Sequence, residues 1–188
     1  MIEFVISDLI ENISLNARQS ILFGAVILVS YLILKGIYFK VRNKKPNLCI
    51  YRIFSVYLFL CYIMFVLYMV LLSREAGTRE TVNLKIFGTY SESPRAQAYM
   101  FENILLLIPF GFLLPYLSKR LSTFAHALSL GMLFSLVIEI IQYITKRGYF
   151  QIDDIWLNTI GAVLGFIAAI LFEKIWVAIR TLKGSLTK

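Results

Sequence analysis

Charge is scarce in this chain. Asp, Glu, Lys and Arg make up 16% of its 188 residues, against about 25% in an ordinary soluble domain. That shortage excludes the water-facing surface of a globular protein. Histidine occurs once, as His126, so an H-E-x-x-H metal site is excluded and no nucleophile–histidine–acid set can be read. The two cysteines, Cys49 and Cys61, stand 12 residues apart on one predicted helix. That is roughly 18 Å at helical rise, too far for a disulfide. A lone cysteine in an apolar helix is a small packing residue. There is no internal repeat and no low-complexity segment. The formal charge of +8 does not point to nucleic acid, because no helix-turn-helix, zinc finger or comparable module is legible. The basic residues lie scattered between apolar runs, where they anchor loops on the cytoplasmic side of a membrane.

What the chain has in abundance is apolar side chains, 59% of the total, with a mean hydropathy of +0.76. Disorder is thereby excluded. The expectation is an all-α integral membrane protein, a single membrane domain over residues 1–188, with about five transmembrane helices of about 20 residues each. The spans are expected at about 20–39, 50–73, 99–117, 121–145 and 154–172. Ahead of them, Ile2, Val5, Ile6, Leu9, Ile10 and Ile13 recur at helical spacing. They mark an N-terminal amphipathic interfacial helix, with a soluble helix packed on a partner as the alternative. Its charges (Glu3, Asp8, Glu11) are acidic, unlike those of a signal peptide. The longest polar stretch, Ser73 to Ala98, has its turns marked by Gly77, Gly88 and Pro94.

Five spans put the two chain ends on opposite sides. Twelve basic residues then fall on one side, including Lys40, Arg42, Lys119, Arg120 and the C-terminal tail, and seven on the other. The richer side is cytoplasmic by the basic-residue rule, which places the N-terminus outside and the C-terminus inside.

Charged groups in hydrocarbon cost several kcal/mol each, about 2.5–3.5 even on the lowest scale, so their positions carry information. Glu102 and Asn103 fall in the first turns of the third span, Glu139 and Gln142 in the last turns of the fourth, and Asp154 and Asn158 in the first turns of the fifth. Under the expected topology all lie within roughly 10 Å of the outer boundary. Glu139 and Gln142 share one helix face, as do Asp154 and Asn158. Arg79, Arg95 and Arg147 lie in the adjoining loops. The expectation is an outward-facing polar pocket lined by acids and amides and roofed by arginines. For each residue a plainer role stands beside this one. Asp153 and Asp154 suit a helix N-terminus, the amides suit interhelical hydrogen bonds, and Glu102 could simply be solvated. Gly161 and Gly165 form a G-x-x-x-G, extended by Ala169, for close packing of the fifth helix or for a homodimer seam. Pro109 and Gly111 are expected to kink the third helix. Trp156 and Trp176 read as interfacial anchors.

Four segments carry a family resemblance: N-I-L-L-L-I-P-F-G-F-L-L-P (Asn103–Pro115), I-E-I-I-Q (Ile138–Gln142), D-D-I-W-L-N-T-I-G-A-V-L-G (Asp153–Gly165) and R-E-T-V-N-L (Arg79–Leu84). They resemble the VanZ-like family. Where that family often has Asn-Leu-Ile-Pro-Phe, this chain reads Asn83, Leu84, Lys85, Ile86 and Phe87, without the proline. The resemblance implies a bacterial plasma-membrane protein connected with resistance to teicoplanin and related lipoglycopeptides. It singles out Arg79, Asn83, Asn103, Pro109, Gly111, Glu139, Gln142, Arg147, Asp153, Asp154, Asn158 and Gly161.

Two functions of different class follow. In the first, the pocket binds a membrane lipid, a lipid-linked envelope precursor or the glycopeptide itself, with arginines holding a phosphate or carboxylate. In the second, the protein is an enzyme acting on such a precursor, with Glu139 and Asp154 as acid and base. No cofactor is expected; the acids could hold a divalent cation through oxygen ligands. A transporter ranks last, because the inner halves of the last three spans are apolar apart from His126. A purely structural partner protein using the glycine seam is the remaining reading.

Overall fold

The computed structural model describes residues 2–41, 50–72, 77, 82–85 and 94–186. Helix α1 covers Ile2–Val41 and α2 covers Ile50–Leu67, closed by a π-helical turn over Tyr68–Leu72. A short strand, β1 (Val82–Asn83), precedes α3 (Pro94–Leu117), and a 3-10 turn over Lys119–Leu121 leads into α4 (Phe124–Ile144). Strand β2 (Phe150–Gln151) runs directly into α5 (Ile152–Leu186). Among the described residues, five helices are long and apolar enough to cross a membrane: Ser20–Lys40, Ile50–Val70, Ala96–Leu117, Phe124–Ile144 and Ile152–Lys183. This is an all-α membrane protein.

Boundaries differ from the sequence reading in places with clear causes. The N-terminal apolar-periodic segment is helical and runs without a break into the first span, as no proline or glycine occurs before Gly24. Pro94 opens α3 instead of making a turn. At the first helical position its missing N–H costs nothing. The fourth helix starts at Phe124, because Thr123 caps it by accepting from the His126 backbone N–H. The fifth helix continues 14 residues beyond Phe172. Glu173 and Lys174 end the apolar run but are good helix formers, and no breaker intervenes before Gly184.

Packing is organised around α3 and α5, the most extensive helix pair. Glycine makes their close approach sterically feasible. A Cβ on Gly161 would fall 2.0 Å from the Ile104 carbonyl oxygen, and one on Gly165 would fall 1.9 Å from that of Ile108. From the facing helix, a Cβ on Gly111 would fall 1.7 Å from the Ala162 carbonyl oxygen. The G-x-x-x-G of α5 is therefore filled from within the chain, and Ala169, one spacing further on, is buried as well. Leu107, Phe110, Leu114, Ala127, Ala162 and Phe166 form the core at this junction. Phe110 stacks on Phe134 of α4 at 5.0 Å. By contrast Leu133, Ile140, Leu164 and Ile167 face outward. Apolar faces of this extent require lipid around them.

Candidate functional site

One end of the bundle is closed by a small parallel ladder. Val82 pairs with Phe150 and Asn83 with Gln151, so the long loop before α3 is stitched to the short loop before α5. The turn leaving α4 prepares this. Lys146 takes a left-handed conformation at φ 55°. The Arg147 N–H donates to the Gln142 carbonyl at 2.9 Å and the Lys146 N–H to the Tyr143 carbonyl at 3.1 Å. This is the pattern that closes a helix C-terminus with a residue in αL, a place usually taken by glycine. The Gly77 N–H donates to the Lys146 carbonyl at 3.1 Å, a second tie between the loops.

Beneath this lid α4 presents one inward stripe of Ala127, Gly131, Ser135, Ile138, Glu139 and Gln142, a helical spacing of three and four. Glu139 is 2% exposed, and its Oε2 accepts the Gln151 backbone N–H at 2.9 Å. Gln151 immediately precedes α5, so the carboxylate lies at the end of a helix where negative charge is favoured. One step deeper, the Asn158 Nδ2 donates to the Ser135 Oγ at 2.8 Å. The Asn158 Oδ1 is buried and has no hydrogen-bond partner among the described residues. On the other flank the Asn103 Nδ2 of α3 donates to the Asp154 Oδ1 of α5 at 2.7 Å. Helix α5 is thus joined to both neighbours through polar contacts at one end of the bundle.

Of the residues singled out from sequence, Glu139, Gln142, Asp153 and Asn158 are buried. Asn103, Asp154 and Arg147 are half-buried around them. Asn83 stands in β1 opposite Gln151, and its Oδ1 accepts the Lys85 N–H at 3.1 Å, which fixes a local turn. Arg79 lies outside the described residues. Arg95 sits in the first turn of α3, and its side chain is likewise outside them. Pro109 and Gly111 lie within an uninterrupted α3. Pro109 cannot donate to the Leu105 carbonyl, and at the next carbonyl, that of Leu106, the Tyr62 hydroxyl of α2 donates at 2.6 Å. His126 is at the far end of α4, with its Nδ1 2.6 Å from the Thr123 Oγ1.

The described residues also enclose an apolar space. A cavity of about 450 Å³ lies between α1, α2 and α3. Its lining is apolar (Ile21, Phe65, Leu105, Leu106 and Pro109 among others) and takes from the cluster only Glu102. Glu102 directly precedes Asn103, the donor to Asp154, in α3. Chemically the arrangement offers an apolar slot with the Glu102 carboxylate in its wall and, separately, a packed knot of amides and acids. Among the described residues no group of three or more His, Cys, Asp or Glu side chains is placed to hold a metal ion.

Sequence reasoning missed Ser135, Tyr62 and the Gln151 backbone. Ser135 had a legible signal, standing four residues before Glu139 on the same helix face. A backbone donor has none.

The comparisons with known proteins agree with this architecture. Protein VanZ from Enterococcus faecium is 38% identical over 66 residues, a stretch covering 35% of this chain and 40% of that protein. The chain therefore matches less than half the length of that relative. No solved structure matches the chain. A family model described as VanZ/LLP1 matches residues 59–173, from the middle of α2 to α5, including β1, both strands' partners and the whole polar cluster. That match spans more than half of the chain, which accordingly belongs to the VanZ/LLP1 family of membrane proteins.

Proposed function

We propose that this protein acts in the bacterial cell envelope, in the plasma membrane, by engaging an amphiphilic or lipid-linked ligand at the end of the bundle closed by the β ladder. The observation that carries this reading is the apolar cavity with Glu102 in its wall, one residue along α3 from the Asn103 that donates to Asp154. An acyl or prenyl chain fits the apolar slot, while hydroxyl or amine groups of the head fit the carboxylate. Such a ligand lies parallel to the helices with its head at the membrane surface. The excess of basic residues at the opposite end supports an extracytoplasmic position for the ladder and a cytoplasmic C-terminus. The resemblance to the VanZ-like family supports the physiological reading, a contribution to resistance against teicoplanin and lipoglycopeptides through altered access to the cell surface.

The test is expression of the full chain in a glycopeptide-susceptible bacterium, with the teicoplanin concentration that stops growth as the readout. The intact chain is expected to raise it. Glu102→Gln and Glu139→Gln are expected to remove that rise while the amount of protein in the membrane stays unchanged. Full resistance in both variants would overturn the role of this end of the bundle.

A further inference from the structure

A second cavity, of about 1280 Å³, lies at the opposite end of the bundle, between the start of α2, the turn joining α3 to α4, and the distal half of α5. Arg52, Lys119, Arg120 and Arg180 line it, with Glu173 as the one carboxylate among the described residues of its wall. Among the described residues none of these four cations is engaged in an ion pair. Two of them are held in place by other means. The Arg52 Nε donates to the Leu117 carbonyl at the end of α3 at 3.0 Å, which fixes the guanidinium and leaves its other donors available. The Arg180 guanidinium lies over the Trp176 ring, 5.0 Å from its centroid.

Basic residues that merely anchor loops need no common cavity. Here cations from three separate elements converge on one cleft with a surplus of positive charge, an arrangement that an anion relieves. The cleft is also far larger than a single small ion requires. Its wall continues into the exposed apolar side chains of Phe172, Trp176 and Val177 on α5, so a ligand with an anionic head and an apolar tail meets matching surface at both ends. The rings of Tyr51, Tyr116 and Trp176 mark the headgroup level of a membrane. Basic pockets between transmembrane helices at this level are where acidic phospholipid heads bind. We propose that this cleft binds the phosphate headgroup of an anionic phospholipid.

The experiment uses the full chain in neutral detergent micelles and measures bound lipid by native mass spectrometry. Phosphatidylglycerol is expected to be retained in preference to phosphatidylcholine. Lys119→Ala with Arg120→Ala is expected to weaken phosphatidylglycerol binding about tenfold or more, since charge-assisted contacts to phosphate are lost. Neither side chain holds the fold, and an unchanged circular dichroism spectrum verifies that. Lys85→Ala, at the other end of the molecule, is expected to change nothing, whereas Arg120→Ala alone weakens binding. Equal retention of the two lipids, or unaltered binding in the double variant, would overturn the proposal. So would displacement of the lipid by millimolar inorganic phosphate, which would make free phosphate the occupant.

Discussion

Asn103 and Asp154, 51 residues apart in the chain, are joined by a hydrogen bond of 2.7 Å from the amide Nδ2 to the carboxylate Oδ1. The bond spans α3 and α5, whose backbones already touch through Gly111, Gly161 and Gly165. Packing brings the two helices together, and this contact fixes their register at one end. A double-mutant cycle measures it. Asn103→Leu and Asp154→Leu are each expected to lower thermal stability in detergent, with a coupling of about 1.5–3 kcal/mol, the range for hydrogen bonds to charged groups. Strict additivity would show that the bond contributes nothing.

Gly161→Ala and Gly165→Ala each place a methyl group about where a backbone oxygen of α3 already sits. Each is expected to cost about 1–3 kcal/mol through overpacking. Gly36→Ala meets nothing within 4 Å and is expected to be neutral or stabilising, by up to about 1 kcal/mol of helix propensity. Thermal unfolding of the three variants in one detergent separates the two outcomes.

Glu139 is an acceptor first. Glu139→Gln keeps an oxygen for the Gln151 N–H, whereas Glu139→Leu leaves that donor bare in a site 2% exposed. The leucine variant is expected to be less stable than the glutamine variant by about 1–3 kcal/mol, the penalty for a buried unsatisfied group. Equal melting temperatures would show that the N–H finds another partner.

Ser135 and Asn158 form a pair in which one amide oxygen is already without a partner among the described residues. Ser135→Ala is expected to cost about 1–3 kcal/mol by stranding the Asn158 amide as well. Combining it with Asn158→Leu is expected to recover most of that loss, because replacing both partners with apolar groups removes the unsatisfied atoms. A double variant no better than the single one would place the stabilisation elsewhere.

The spans were legible because apolar runs of membrane length leave little choice of structure, and α2 and α3 follow them closely. The end of α5 was not, since hydropathy falls at Glu173 while helical propensity does not. At the candidate site, Asn103, Glu139, Asp154 and Asn158 stood out as costly groups in hydrocarbon. Their pairing could not be read, because it depends on where the backbone runs. The Gln151 N–H is an acceptor's partner only once β2 has formed beside β1. The apolar cavity escaped notice for a related reason. Apart from Glu102 its walls are mainly apolar residues such as Ile21, Phe65, Leu105 and Pro109, and in sequence these are indistinguishable from residues facing lipid.

The interlock of α3 with α5 has a mechanical corollary. Where Gly111, Gly161 and Gly165 bring the two backbones together no side chain stands between them, so α3 and α5 resist shifting separately. The slot beside Glu102 has α3 for one wall and the α1–α2 pair for the others. A substitution that pries α3 from α5 therefore moves a wall of the slot, even from a position that does not line it.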